Sequence, residues 1–311
     1  MNIMLPVYLF ALTAIGVNGQ PEQAVVLSTE TGDIAGTLLV PDTDGPVPVA
    51  LLIAGSGPTD RDGNNPMMTN NSLKMLAEGL YEYGIASLRY DKRGIGESRQ
   101  AGLKERDLRF ETYIEDARAW VALLDEREEL GEVIVIGHSE GSLIGMAAAR
   151  DERVDKFVSI AGAGEPAHAV LRRQLTTQAP GIVNVFTPIL DSLIQRDTVR
   201  EVPAYLNTLF RPSVQPYLIS WFAYDPAQLI GQLEKPMLIV QGTTDIQVEE
   251  ADARKLAEAN ERAELFLVEG MNHILKDAPA DRQQNLETYN DPDLPLSAGL
   301  VERIAGFIRR P

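Results

Sequence analysis

Val133-Ile134-Val135-Ile136-Gly137-His138-Ser139-Glu140-Gly141-Ser142 decides how the chain is to be read. An unbroken, mostly β-branched apolar run suits a short strand buried on both faces, because a half-solvated strand would alternate. Gly137-His138-Ser139-Glu140-Gly141 then fits the pattern G-x-S-x-G, and residues 143–149 continue with helical character. A chain that turns from strand to helix through one serine reverses so sharply that the serine is held in a strained conformation. Flanking glycines remove the Cβ atoms that would collide there. Ser139 would stand above the sheet at a helix N-terminus, and the Glu140 amide would face a developing oxyanion. Without that strand and helix the pattern would be an ordinary glycine-rich turn.

Working outward, residues 25–28 and 35–40 read as β-prone runs joined by a turn at Gly32-Asp33. Residues 49–54, 85–90, 157–160, 237–240 and 265–268 are further strands, making eight with 133–136. Helical spacing marks 110–130, 251–259 and 298–309. Strands alternating with helices predict an α/β fold, a mostly parallel sheet covered on both faces, with the leading pair as an antiparallel edge. Residues 165–233 interrupt the alternation with helical patterning broken by Pro180, Pro188, Pro203, Pro212 and Pro216. The expected organisation is one core from residues 20–164 and 234–311, with 165–233 inserted after the sixth strand as a helical cap. Residues 1–19 carry no charged side chain and end in Asn18-Gly19, followed by Gln20-Pro21, which predicts a signal peptide and an exported (periplasmic or secreted) protein. An uncleaved leader would instead tether the chain to a membrane. The run is short for a bilayer span, and Pro6 interrupts it.

The 311 residues include 28 basic and 45 acidic side chains, a net charge of −17, which argues against nucleic acid as a partner. There is no cysteine, so disulfides and cysteine nucleophiles are excluded. With three histidines in the chain, a general base for Ser139 must be one of them. His138 adjoins the serine, but neighbouring side chains on such a turn diverge, and a structural hydrogen bond beneath the turn is expected of it. His168 lies in the insertion without a motif. His273 follows the last strand, at the carboxyl end where open α/β sheets build their sites. Asp245, in the loop after the seventh strand, is the carboxylate expected to orient His273. Glu249, Glu250 and Asp277 read as solvated charges. The chain order Ser139, Asp245, His273 suits this architecture. A second oxyanion donor belongs to Gly55-Ser56-Gly57-Pro58, at the Ser56 amide or, failing that, Gly57.

Taken together, Gly55-Ser56-Gly57-Pro58-Thr59-Asp60-Arg61-Asp62-Gly63-Asn64, Arg89-Tyr90-Asp91-Lys92-Arg93-Gly94-Ile95-Gly96-Glu97-Ser98, the serine turn and Gln241-Gly242-Thr243-Thr244-Asp245 resemble the bacterial EstD-like carboxylesterases of the α/β-hydrolase superfamily. Ala54 departs from the histidine that many superfamily members carry before the oxyanion glycine. The resemblance implies a serine carboxylesterase of short- to medium-chain acyl esters, with Ser139, Asp245 and His273 as its triad. It further implies a helical cap, no metal and no cofactor, and a small-molecule ester as the partner. Two other readings stay open. Residues 91–98 are shared in flavour with serine aminopeptidases, which would make the chain an amide hydrolase with the same triad, and a non-enzymatic binding protein on this fold is the third. Asp91 and Arg93 are expected to pair with each other, and Asp60, Arg61 and Asp62 to be structural. In the insertion Leu190, Leu193, Leu206, Leu209, Phe210, Tyr217, Leu218, Trp221 and Phe222 would line an acyl pocket or form the core of the cap itself.

Overall fold

The computed structural model describes residues 13–15 and 21–310. Apart from 13–15, the expected leader lies outside the described residues. A hairpin of β2 (Pro21–Thr29) and β3 (Gly32–Leu39) turns at Glu30-Thr31, two residues earlier than the expected Gly32-Asp33, which already pair with Thr29 and Ser28. Thr13–Ile15, β1, adds a three-residue edge antiparallel to β2. The remaining strands are β4 (Val47–Ile53), β5 (Ala86–Tyr90), β6 (Leu130–His138), β7 (Val154–Ile160), β8 (Met237–Gly242) and β9 (Ala263–Val268). The sheet runs in the order β1-β2-β3-β5-β4-β6-β7-β8-β9. β3 meets β5 antiparallel, and from β5 to β9 every neighbour is parallel. The eight expected strands are therefore present, with an antiparallel edge and a parallel body.

The period of two along β6 sorts its side chains between two layers. Val133 and Val135 face α2 (Phe110–Asp125) and α3 (Glu140–Ala148), sharing a core with Trp120, Ile144 and Phe157. Ile134 and Ile136 face the opposite way, toward Leu76 and Leu80 of α1 (Ser72–Glu82) and Ile304 and Phe307 of the C-terminal helix. Both faces of β6 are thus dry, which is why its sequence shows no alternation. Between β7 and β8 the chain forms α4 (Ala167–Gln178), α5 (Val183–Ile194), α6 (Asn207–Phe210), α7 (Gln215–Phe222) and α8 (Pro226–Gly231). These helices are tethered at several points. Arg173 binds Asp252 at 2.6 Å, at the start of α9 (Glu250–Ala259), and Arg211 binds Glu105 at 2.9 Å. Ser220 Oγ accepts the Phe110 amide at 2.8 Å.

One helix is shorter than the sequence expectation and another was not expected. The helix expected over 110–130 stops at Asp125, because Leu130 already pairs with Val47 as the start of β6. The charged run Glu126-Arg127-Glu128-Glu129 favours helix but has no apolar side to bury, so it forms the connecting turn. The helix α10 (Arg282–Glu287) has no apolar periodicity to betray it, and is started by the Asp281 carboxylate accepting the Gln284 amide at 3.0 Å. The terminal helix, α11 (Leu300–Ile308), is anchored by a buried cation. Lys156 Nζ donates to the carbonyls of Ile308 and Arg310, each at 2.7 Å, and to Glu132 at 2.8 Å. Lys156→Met keeps the stem but leaves those carbonyls unpaired. It should lower stability by about 2–3 kcal/mol, read as a lower urea midpoint with unchanged m. An unchanged midpoint would show that α11 docks through its apolar face alone.

Candidate active site

Ser139 joins β6 to α3 with φ 56° and ψ −119°, a conformation rarely open to a side-chain-bearing residue. The close passage around it requires its glycines. A Cβ on Gly137 would lie 2.1 Å from the Gly141 carbonyl oxygen, and one on Gly141 would lie 2.2 Å from that of Ile53. The Ser139 amide is fixed by the Ile160 carbonyl at 2.9 Å. Glu140 opens α3, so its own amide has no intrahelical acceptor. Across the turn, the amides of Ser56 and Gly57 donate to no acceptor among the described residues. Both residues line the same cavity as Ser139 and Glu140.

His273 lies in the loop after β9, and its Nδ1 is 2.8 Å from Asp245 Oδ2. Asp245 is fully buried at the side chain. Its Oδ1 accepts the amides of Gln247 at 2.8 Å and Val248 at 3.0 Å, while Gln241 Nε2 reaches Oδ2 at 3.1 Å. Burial alone would raise this carboxyl. The His273 imidazole beside it and the two amides outweigh burial and hold it below the ordinary aspartate value. An Nδ1–H held by a carboxylate leaves Nε2 as the basic nitrogen. Among the described residues the Ser139 hydroxyl has no hydrogen-bond partner, so the serine–histidine contact is not closed. In unliganded sites such contacts are often long and tighten with substrate.

The other two histidines take the structural places expected of them. His168 packs edge-on against Phe222, with ring centroids 5.7 Å apart. His138 is buried under the turn, with Nε2 2.7 Å from the His273 carbonyl oxygen. That carbonyl can only accept, so Nε2 carries the hydrogen. Burial, reinforced by the neighbouring His273, pushes the His138 pKa down to about 4.

A cavity of about 770 Å³ opens over Ser139. Of the nine insertion side chains weighed as pocket lining, Leu209, Tyr217, Leu218 and Trp221 line it. Leu190, Leu193, Leu206, Phe210 and Phe222 are buried in the hydrophobic core instead. Its lining includes a group that motif reading passed over. Lys92, 1% exposed, donates to the Gly55 carbonyl at 2.5 Å and to Glu140 Oε2 at 2.9 Å. Tyr217 donates to Glu140 Oε1 at 2.5 Å. A lysine immediately after a wholly buried strand was the signal available in the sequence.

The expected Asp91–Arg93 pair does not form. Asp91 accepts the Arg61 amide at 2.8 Å, its guanidinium at 2.7 Å and the Glu97 amide at 2.8 Å. Arg93 points the other way and grips Asp116 of α2 with two bonds of 2.6 Å. Residues two apart at a strand end face opposite layers once the strand has ended in a turn, so each finds its partner elsewhere. Asp60, Arg61 and Asp62 are structural, as expected. Asp60 Oδ1 accepts the amides of Asp62 and Asn64, each at 2.9 Å, and Asp62 pairs with Arg89 at 3.0 Å.

The depressed His138 pKa ties stability to pH. The unfolded chain takes up a proton near 6.5 that the folded chain refuses until about 4. The stability His138 contributes is therefore complete above the unfolded value and lost as pH falls toward 4. His138→Gln retains an Nε2 donor but cannot titrate. Between pH 7 and pH 5 the wild type should lose about 2 kcal/mol more than this variant, measured by urea unfolding. Equal losses would mean that His138 is not held neutral.

Known proteins share this fold. The family described as serine aminopeptidase, S33, matches residues 69–277. Esterase EstD of Thermotoga maritima is 30% identical over 260 residues, covering 82% of this chain. The chain spans 61% of that relative's length. Est1E from Butyrivibrio proteoclasticus, solved with ferulic acid, superposes with a TM-score of 0.61 at 20% identity, over 85% of this chain and 95% of its own. The alpha/beta hydrolase GrgF from Penicillium sp. sh18 superposes with a TM-score of 0.62 at 20% identity, over 93% and 98%. At such identities the likeness is one of fold. With Ser139 on a strained turn between strand and helix, and with Asp245 and His273 in the loops after the last two strands, the chain belongs to the serine aminopeptidase S33 family of α/β-hydrolases.

Proposed function

We propose that the protein is a serine carboxylesterase of short- to medium-chain acyl esters, with Ser139 as nucleophile, His273 as general base and Asp245 as its orienting carboxylate. The observation that carries this reading is Ser139 held at positive φ at the N-terminus of α3, in a domain where His273 Nδ1 is bound to a buried aspartate. Substrate binding brings the ester carbonyl oxygen to the Glu140 and Ser56 amides. His273 Nε2 takes the Ser139 proton as Oγ attacks, and the C–O bond to the alcohol breaks as His273 returns that proton to the leaving oxygen. Water then repeats the sequence on the acyl-enzyme, releasing the acid and restoring the serine. The inserted helices of residues 165–233 act as a cap, and the acyl chain lies along Leu209, Leu218 and Trp221.

The charge pattern of the cavity favours esterase over aminopeptidase. An aminopeptidase needs a carboxylate free to bind the substrate ammonium. Glu105, Glu140 and Glu165 are the acids lining the cavity among the described residues. Glu105 is held by Arg211 and Ser213, Glu140 by Lys92 and Tyr217, and Glu165 by Arg173 and Lys255. None is left for an amine, and the rest of the lining is largely aliphatic.

Ser139→Ala should abolish hydrolysis of p-nitrophenyl butyrate while thermal unfolding stays unchanged. Asp245→Asn should lower kcat by about 10³–10⁴, because the amide leaves His273 in the wrong tautomer. Amino-acid p-nitroanilides should be turned over far more slowly than the ester. Full activity without the Ser139 hydroxyl, or a preference for the anilides, would overturn the reading.

A further inference from the structure

Lys92 occupies an expensive position. It is part of the cavity lining, yet its side chain is only 2% exposed, where an unpartnered cation would be strongly destabilising. Its partners are few and specific: the Gly55 carbonyl, Glu140 Oε2 and, at 5.2 Å, the face of the Tyr113 ring. Both hydrogen-bond acceptors belong to the two segments that supply the proposed oxyanion donors.

Gly55 O and Ser56 N–H are the two ends of one trans peptide unit, since there are no cis peptide bonds among the described residues. In a planar trans peptide the carbonyl and the following N–H point in opposite directions. A lysine that holds the oxygen therefore turns the Ser56 hydrogen away from itself, and Ser56 lines the cavity over Ser139. The same peptide runs close to the nucleophile, for a Cβ on Gly55 would lie 3.2 Å from Ser139 Cβ. The Ser56 amide has no acceptor among the described residues. Protonated nitrogen on the carbonyl also polarises the unit and makes its N–H a stronger donor. At the second acceptor, Lys92 and Tyr217 together hold the carboxylate of Glu140, whose amide is the other proposed donor. That carboxylate stands beside the point where negative charge develops, and the ammonium offsets its repulsion.

We propose that Lys92 is the positioning residue of the oxyanion hole: it fixes the Gly55–Ser56 peptide plane so that the Ser56 amide, rather than that of Gly57, faces the substrate carbonyl, and it holds the Glu140 segment opposite. The inference rests on the esterase reading above. Lys92 acts through the two backbone amides, its ammonium being engaged by Gly55 and Glu140. Tyr217 reaches the same carboxylate from α7, so the inserted helices are connected to the donor pair by a single intervening side chain.

The test compares wild type with Lys92→Met and with Lys92→Met/Glu140→Gln, the double variant leaving no buried charge unpaired and so keeping the fold if the single one does not. Thermal unfolding verifies each protein, and a fluorophosphonate probe verifies the Ser139 nucleophile. With p-nitrophenyl butyrate, kcat should fall by about 10²–10³ in both variants, the size of one lost oxyanion donor, with KM within about threefold. A trifluoromethyl ketone, whose adduct with serine carries an oxyanion, should lose affinity in step with kcat/KM, whereas a merely structural role would leave that correlation absent. Recovery of wild-type kcat in the double variant would overturn peptide positioning, because neutralising Glu140 would then be the lysine's whole effect. Unchanged ketone affinity in a folded double variant would overturn it as well. A wild type that the fluorophosphonate fails to label would instead bring down the esterase reading, which keeps the two failures distinct.

Discussion

The strained backbone at Ser139 is the constraint on which the rest of the site depends. A residue at φ 56° between a buried strand and a helix persists because the packing around it leaves no alternative. β6 is central in the sheet, paired on both edges, and its ladder extends through Gly137 on one side and His138 on the other. α3 starts one residue after the serine and lies flat on the sheet, buried along its whole length. The backbone at Gly141 then passes so close to the end of β4 that no Cβ fits. The cost of one unfavourable conformation, of order 1–3 kcal/mol, is carried by a core that would have to be dismantled to relieve it.

The same crowding draws the other groups to the turn. His138 underlies it and donates to the carbonyl of His273, so the loop bearing the proposed base is bonded to the residue beside the proposed nucleophile. Asp245 is held by two amides of its own loop before it meets the imidazole. A carboxylate with that many fixed donors needs no rearrangement to stabilise an imidazolium, which is how preorganised sites differ from solvent. Charge is present throughout this floor, yet nearly all of it is neutralised locally. A chain of net charge −17 places its cavity carboxylates against lysine, arginine or tyrosine, so that the charges around the chamber are paired with one another.

How much of this could be read in the sequence follows from how local each determinant is. The turn at Ser139 and each parallel strand leave a signature within a dozen residues, and Asp245 and His273 lie in the loops that directly follow two such strands. Pairings across the fold leave none. Asp91 and Arg93 are two residues apart and looked like partners, but Asp91 is closed by Arg61 from a loop 30 positions away, and Arg93 by Asp116 of α2. Lining and core were inseparable in the insertion for a related reason. Leu209 and Phe210 are adjacent and equally apolar, and only the way each side chain faces sends one to the cavity and the other to the interior. Lys92 was hidden by its neighbours, since a Lys-Arg pair beside glycines reads as a solvated loop until the strand before it is known to be covered on both faces.

That hidden lysine bears on why this site tolerates Ala54 where many superfamily members carry a histidine. Ala54 is itself buried, and its methyl group has no polar atom with which to brace the peptide that follows. The bracing arrives instead from β5, the neighbouring parallel strand, whose end lies beside that of β4. A buried ion pair is a poor source of net stability, and hydrophobic residues of similar volume would cost the fold little. Its presence here makes sense in the proposed chemistry: the cation fixes the orientation of the Ser56 amide, which no helix or strand orients, at the point where misalignment of a donor would be felt in the transition state rather than in the ground state.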